Sequence, residues 1–272
     1  MNAIISHDVD HITVWEHKRD LILPKHIIRN CIEFGLKYIT LDEVAGRLRD
    51  IMRNKWNNLE ALMQFDKEKG IPATFFFGMQ NGVGLSYALQ DAKPWMEKAT
   101  EEGFPIGVHG MAFERLEEMR KEFDAFAALT GLGGFGIRMH YLRRNAETLI
   151  NLEKAGYRFD SSVQQLASPY RVSDLWEFPL HIMDGRILCR NGRWQDQTLE
   201  QAKDSTKALL EEAVKRGIGY FTILLHDRYF SDSFRTWKQW YVWTTEFLRD
   251  NGFKFISFND AIEELEDVHA AH

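Results

Sequence analysis

The chain has 272 residues, 44% hydrophobic and 27% charged, with a formal net charge of −6; this is a globular composition, and one α/β barrel domain spanning 1–272 fits it. No basic block offers a footprint for nucleic acid, no run of about 18 apolar residues offers a membrane span, and the start MNAIISHDVDH lacks the pattern of a secretory signal. Cys31 and Cys189 lie far apart and outside any CxxC pair, so they read as reduced thiols of a cytoplasmic protein and exclude a cysteine metal site.

An apolar run, AIIS, opens the chain and ends in His7-Asp8-Val9-Asp10. Helical patterns follow in LPKHIIRNCIEFG and TLDEVAGRLRDIMRN; in the second, Thr40 and Glu43 have capping-box spacing. A third, NLEALMQFDKEKG, stops at Gly70, and ATFFF, bounded by Pro72 and Gly78, reads as a strand. PWMEKATEEG reads as helix, FPIGVHG as strand, and FERLEEMRKEFDAFAALTG as a helix with Phe113, Leu116, Met119, Phe123 and Phe126 at helical spacing. Next come the strand FGIRMHYL, the helix AETLINLEKAGY, and the strands FDSSV and EFPLHIM. LEQAKDSTKALLEEAVKRG is a helix closing on Gly217, GYFTILLHD a strand, DSFRTWKQWYVWTTEFLRDNG a helix, FKFISF a strand and NDAIEELED the last helix. Such alternation predicts a parallel sheet with helical crossovers. About seven parallel strands predict a closed or nearly closed TIM-like barrel, with its chemistry at the carboxyl ends of the strands.

Polar residues gather at those ends. The first strand delivers His7, Asp8, Asp10 and His11, and FPIGV delivers His109. FGIRM carries Arg138, His140, Tyr141 and Arg143; YRF ends in Asp160-Ser161-Ser162; FTILL ends in His226-Asp227. Asp8 and Asp10, two apart on a strand, share a face. Carboxylates so close favour a cation beside them, and aspartate with histidine is a common ligand set for zinc and similar ions. His226 at a strand mouth suits acid–base work, and Asp160 is a candidate to orient it.

In chain order these segments resemble the motifs of the polysaccharide deacetylases, the chitooligosaccharide-deacetylase homology domain of carbohydrate esterase family 4. His7-Asp8-Val9-Asp10 resembles the first motif, Ile106-Gly107-Val108-His109 the second, Arg138-Met139-His140-Tyr141 the arginine motif and Leu224-Leu225-His226-Asp227 the last. The resemblance implies a distorted (β/α) barrel. It implies Asp8 as the base, Asp10 and His109 as metal ligands, Arg138 as the partner of the base, the Tyr141 N–H in an oxyanion hole and His226 as the acid. The segment 138–143 resembles a divergent branch from surface-polysaccharide biosynthesis, the O-antigen-locus deacetylases of the WbmS type. That branch would fit a cytosolic enzyme acting on a nucleotide- or lipid-linked amino sugar or an oligosaccharide.

One position departs from the pattern. The second motif of the family carries another histidine four residues after the first, and here that position is Phe113. His140 and His11 are the available substitutes. Strand alternation favours His140, which shares a face with Arg138, whereas His11 is adjacent to Asp10 and points away on a regular strand.

The expected chemistry is hydrolysis of the amide of an N-acetyl sugar. A divalent metal, zinc by preference, is held by Asp10, His109 and His140; Asp8 is the base, kept ionised by Arg138; the Tyr141 N–H faces the oxyanion; His226, oriented by Asp160, protonates the leaving amine. Two rivals are a metal-free relative that hydrolyses a cyclic amide, which Phe113 favours, and a non-catalytic sugar-binding relative, which Asp8 and His226 oppose. Trp237, Trp240 and Trp243 read as core packing on one helix. His17, His26 and His181 read as ordinary, His269 and His272 as a solvated tail, residues 114–122 as a charged helix face, and Arg143 and Arg171 as surface arginines, with contact to an anionic sugar or a diphosphate the lesser reading.

Overall fold

The computed structural model describes residues 1–270. In chain order the elements are β1 (Asn2–Val9), α1 (Ile22–Gly35), α2 (Leu41–Met52), α3 (Leu59–Glu68), β2 (Thr74–Gly78), α4 (Leu89–Glu101), β3 (Ile106–Gly110), α5 (Leu116–Thr130), β4 (Gly136–Met139) and α6 (Thr148–Ala155). Then follow β5 (Phe159–Asp160), β6 (Tyr170–Val172), β7 (Leu175–Glu177), β8 (Ile182–Met183), α7 (Asp184–Leu188), α8 (Leu199–Lys215), β9 (Tyr220–Leu224), α9 (Arg235–Asp250), β10 (Lys254–Phe255) and α10 (Phe258–Ala270). His272 and the side chain of His269 lie outside the described residues.

Local chemistry sets the element ends. Thr40 and Glu43 form the expected capping box on α2, and Thr198 with Gln201 forms another on α8. After α3 and α8 the chain turns through Gly70 and Gly217 at φ +62° and +71°, where a side chain would be strained. Phe75, Phe76 and Phe77 are all fully buried, as expected of a parallel strand with both faces covered.

The sheet order is β6-β7-β5-β4-β3-β2-β1-β9-β8, with β10 pairing the start of β1. From β7 to β8 the eight strands of this path run parallel; only β6 runs antiparallel, against β7. The fold is therefore the expected α/β one, a curled and mostly parallel sheet wrapped by helices. The run EFPLHIM is not one strand, however. Its start pairs with β5 and its end with β9. Between them the Leu180 N–H donates to Val163 O and the His181 N–H to Thr222 O, while Pro179 has no N–H to give. This crossing segment brings the two ends of the sheet together, with a parallel bridge between Gln164 and Leu180.

Alternation along β1 divides the core in two. Ala3, Ile5 and Val9 face the helices and join the larger apolar cluster. Ile4, Ser6 and Asp8 face inward. Ile4 belongs to a second cluster with Phe76, Phe159, Trp176 and Phe178, into which α10 inserts Phe258, Ala261 and Ile262. β10 pairs with Asn2 and Ala3, which places this plug at the end where β1 begins and leaves the carboxyl end open. Trp237 and Trp240 are core residues, as read from the sequence, and Trp243 is half-buried against that core. No described helix is long and apolar enough to cross a membrane.

Candidate active site

Three ligand-type atoms converge where β1, β3 and β4 end. His109 Nε2 lies 3.1 Å and His140 Nδ1 3.2 Å from Asp10 Oδ1, and the two nitrogens are 2.9 Å apart. The other nitrogen of each ring faces a backbone carbonyl, His109 Nδ1 at 3.0 Å from Arg138 O and His140 Nε2 at 2.8 Å from Val83 O. A carbonyl only accepts, so those nitrogens carry the ring protons. In the neutral rings two bare lone pairs and a carboxylate oxygen therefore point at one another. Among the described residues Asp10 Oδ1 is buried without a hydrogen-bond partner. Three acceptors in mutual contact repel unless a cation or a second ring proton sits among them; burial opposes charge on His140, but Asp10 raises its ring above the ordinary range. Metal–ligand bonds of about 2.0–2.1 Å at tetrahedral angles put ligand atoms about 3.3 Å apart, close to these separations. The donor set therefore fits a divalent ion, and the backbone carbonyls fix the ring orientations as such sites require.

Below this cluster, the Arg138 guanidinium is fully buried on the face of Phe76, 5.0 Å from the ring centre. It donates to Ser6 Oγ at 2.8 Å and Asp8 Oδ1 at 3.4 Å through Nη1, and to Ser161 O and Ser161 Oγ at 2.8 Å through Nε and Nη2. Asp8, itself buried, is thus held beside a cation one strand step below Asp10.

Opposite, His226 follows β9. Its Nδ1 lies 2.9 Å from Asp184 Oδ1, and its Nε2 points inward, 3.7 Å from Asp10 Oδ2. Asp184 also accepts the His226 backbone N–H at 2.8 Å. Burial opposes charge on this imidazole, but Asp184, with Asp10 and Asp8 beyond, outweighs burial and lifts it well above the ordinary histidine range.

Asp160 does not orient His226. It accepts from the N–H and hydroxyl of Ser162 and lies against Glu177 and Arg138, deep in the barrel. Burial pushes its carboxyl up, and burial with Asp160 as neighbour pushes Glu177 well up. The reason is sheet order: β5 is separated from β9 by β4, β3, β2 and β1, whereas β8, which ends at Met183 just before Asp184, is the neighbour of β9. The signal for Asp184 was present in the sequence, an acid immediately after an apolar strand.

Phe113 lies in the loop before α5 and not on that helix, which begins at Leu116. The Arg143 guanidinium stacks over its ring at 5.1 Å and donates to Met111 O and His140 O. Those bonds brace a turn in which Tyr141 and Leu142 adopt φ of +57° and +53°. Non-glycine residues there cost about 1–3 kcal/mol each, a strain that clusters at functional sites. Arg143 is thus engaged through Nε and Nη2, and Arg171 pairs with Asp174 on the β6–β7 hairpin. His11 turns away from the Asp10 cluster. It forms a second group with Glu16 and His17, with His17 Nε2 at 2.8 Å from His11 Nδ1 and 3.1 Å from Glu16, and His17 Nδ1 at 2.7 Å from Asp20. Burial opposes charge on His17, but Glu16 and Asp20 hold its ring above the ordinary range, and one proton there satisfies the group. His17 is in this respect less ordinary than its sequence context implied. His181 stacks on Phe221 and bonds Thr222 and Ala167 O, and His26 sits between Asn30 and Arg228.

Asp8, Asp10, His109, His140, Tyr141 and His226 line one cavity of about 810 Å³ at the carboxyl face. No family model matches the sequence, and no curated protein does. Solved structures do match. A protein from Mycobacterium smegmatis assigned as a polysaccharide deacetylase superposes with a TM-score of 0.67 at 15% identity, over 98% of this chain and 91% of its own. One so assigned from Pseudomonas aeruginosa PAO1 gives 0.55 at 17% identity, over 75% and 71%. The chain has the polysaccharide deacetylase fold. The Puue allantoinase shares this deacetylase-type fold, at a TM-score of 0.61 and 13% identity over 95% of this chain and 88% of its own. One fold hosting two such names means that activity has to be argued from the site.

Proposed function

We propose that this chain is a metal-dependent hydrolase that removes the N-acetyl group from an amino sugar. The observation that carries the reading is the convergence of Asp10 Oδ1, His109 Nε2 and His140 Nδ1 within 3.2 Å of one another, between the buried carboxylate of Asp8 and the imidazole of His226. Asp10, His109 and His140 would hold the ion, zinc by ligand type. When bound, such an ion lowers the pKa of water and polarises a carbonyl.

The chain's own residues supply the rest. Asp8 takes the proton of the attacking water at its carboxylate, and Arg138, donating to Asp8 Oδ1 at 3.4 Å, holds that carboxylate in place. His226 donates the proton from Nε2 to the departing amine, since an amine leaves poorly without one. Asp184 holds the His226 ring with Nε2 facing the cavity and stabilises its charge. The N–H of Tyr141, in the strained turn after β4, is the proposed donor to the oxyanion. Retention of both Asp8 and Asp10, with His140 beside Asp10, supports this reading over hydrolysis of a cyclic amide without metal. The resemblance of segment 138–143 to the surface-polysaccharide branch supports a role in making such a glycan.

The test is acetate release from N-acetylated chitooligosaccharides and from nucleotide-linked N-acetylhexosamines. Asp8→Asn and His226→Ala are each expected to lower the rate by about 10²–10⁴ with circular dichroism unchanged. Near-normal acetate release by either folded variant removes the role given to that residue.

A further inference from the structure

The rim of the cavity is cationic, although the chain as a whole carries −6. Arg144, Arg186, Arg193 and Arg228 line it. They come from four segments: the turn after β4, the helix α7, the loop beyond α7 and the turn after His226. Among the described residues none has a carboxylate within 4.0 Å. Arg144, Arg186 and Arg193 are exposed. Arg228 is half-buried, stacked 4.1 Å over Trp56, and its one side-chain hydrogen bond runs to His26 Nδ1.

The carboxylates of the same cavity do not neutralise them. Asp8 is matched by Arg138, Asp184 by His226, and Asp10 belongs to the ligand cluster. Asp227 is buried and accepts the Asn58 N–H, and burial pushes its carboxyl up to about 8. Among the described residues no lysine or glutamate lines the space. Three exposed guanidinium forks, those of Arg144, Arg186 and Arg193, with Arg228 half-buried beside them, make a local field of one sign, and arginine is the side chain whose geometry matches oxyanions in pairs of hydrogen bonds. A single carboxylate would occupy one fork. A diphosphate, with its several acceptor oxygens and at least two charges, uses the set. A cavity of about 810 Å³ has room for a sugar and the group beyond it.

We propose that these arginines bind a diphosphate on the substrate, so that the acylamino sugar enters as a glycosyl diphosphate and not as part of a neutral glycan chain. The proposal rests on the deacetylase reading for the floor of the cavity, but its test does not need turnover. Uridine diphosphate, inorganic pyrophosphate, farnesyl diphosphate and glucuronate are each titrated calorimetrically into the metal-loaded protein. The same is done with Arg144→Ala, Arg186→Ala and Arg193→Ala, and with Arg171→Ala as a surface control. Pyrophosphate is expected to bind more tightly than glucuronate, to weaken steeply with salt, and to lose about tenfold in affinity with each rim variant but not with the control. A gain for uridine diphosphate over pyrophosphate assigns a nucleotide carrier, and a gain for farnesyl diphosphate a lipid carrier. Absent pyrophosphate binding, glucuronate binding as tight as pyrophosphate, or binding that all three rim variants leave intact overturns the proposal. Acetate release from N-acetylchitotetraose is followed in the same preparations. Release without pyrophosphate binding overturns the diphosphate alone; arginine-dependent binding without release from any acetylated sugar overturns the deacetylase reading alone.

Discussion

His140 stands two residues after Arg138, and that spacing decides where its ring goes. β4 ends at Met139, yet the alternation persists one step into the turn, so Arg138 reaches Asp8 while His140 reaches Asp10. Phe113, at the position where the resemblance implies a second histidine, places its ring under Arg143, and the arginine braces the turn that carries His140. The two thiols differ as sharply. Cys31 is exposed; Cys189 is buried beside Arg29, and burial pushes its thiol up to about 12, so at pH 8 almost none is thiolate. The native chain is expected to give one fast thiol with a disulfide reagent at pH 8, and the Cys31→Ser variant none until denatured. Two fast thiols in the native chain would show that Cys189 is open to solvent.

At the scale of elements, a helix holds the loop that follows the His109 strand. Glu122 of α5 is buried and accepts the Met111 and Ala112 N–H groups at 2.8 and 3.0 Å. Burial lifts its carboxyl from the ordinary 4.5 to about 7, although those two donors pull it down. The folded state thus holds a proton there that the unfolded chain releases. Its stabilising contribution is full below about pH 4.5 and is lost as pH rises through 7. Relative to Glu122→Gln, which does not titrate, wild-type stability should fall by on the order of 2–3 kcal/mol between pH 4.5 and 7 and then level off. Urea unfolding of both proteins across that range measures it, and a constant difference would refute it. The helices were legible in the sequence because caps and apolar spacing are local: the Thr40–Glu43 box and the stop at Gly70 are as read. The run EFPLHIM was not, because nothing local says that its two halves pair with strands at opposite ends of the sheet. The error over Asp160 follows from the same cause, since a partner for His226 depends on which strand lies beside β9.

Across the whole molecule, the barrel is layered along its axis. The apolar plug around Phe76 and Phe258 lies at one end, Arg138 with Ser6, Asp8 and Ser161 above it, and the Asp10 cluster with His226 at the open end, rimmed by arginines. The plug keeps water from the base of Arg138, and a dry floor strengthens every charge pair above it. Which strands carry polar ends was visible from the sequence; which ends meet was set by curling the sheet, and the arginine rim by loops without any sequence period. The proposed hydrolysis requires the Asp10–His109–His140 cluster to be a metal site. Its most direct measurement is elemental analysis with zinc titration of the wild type, His140→Ala and His11→Ala, prepared without chelator. About one ion per chain in the wild type and His11→Ala, with affinity lost in His140→Ala, is the predicted result; no ion in the wild type, or full affinity in His140→Ala, contradicts it.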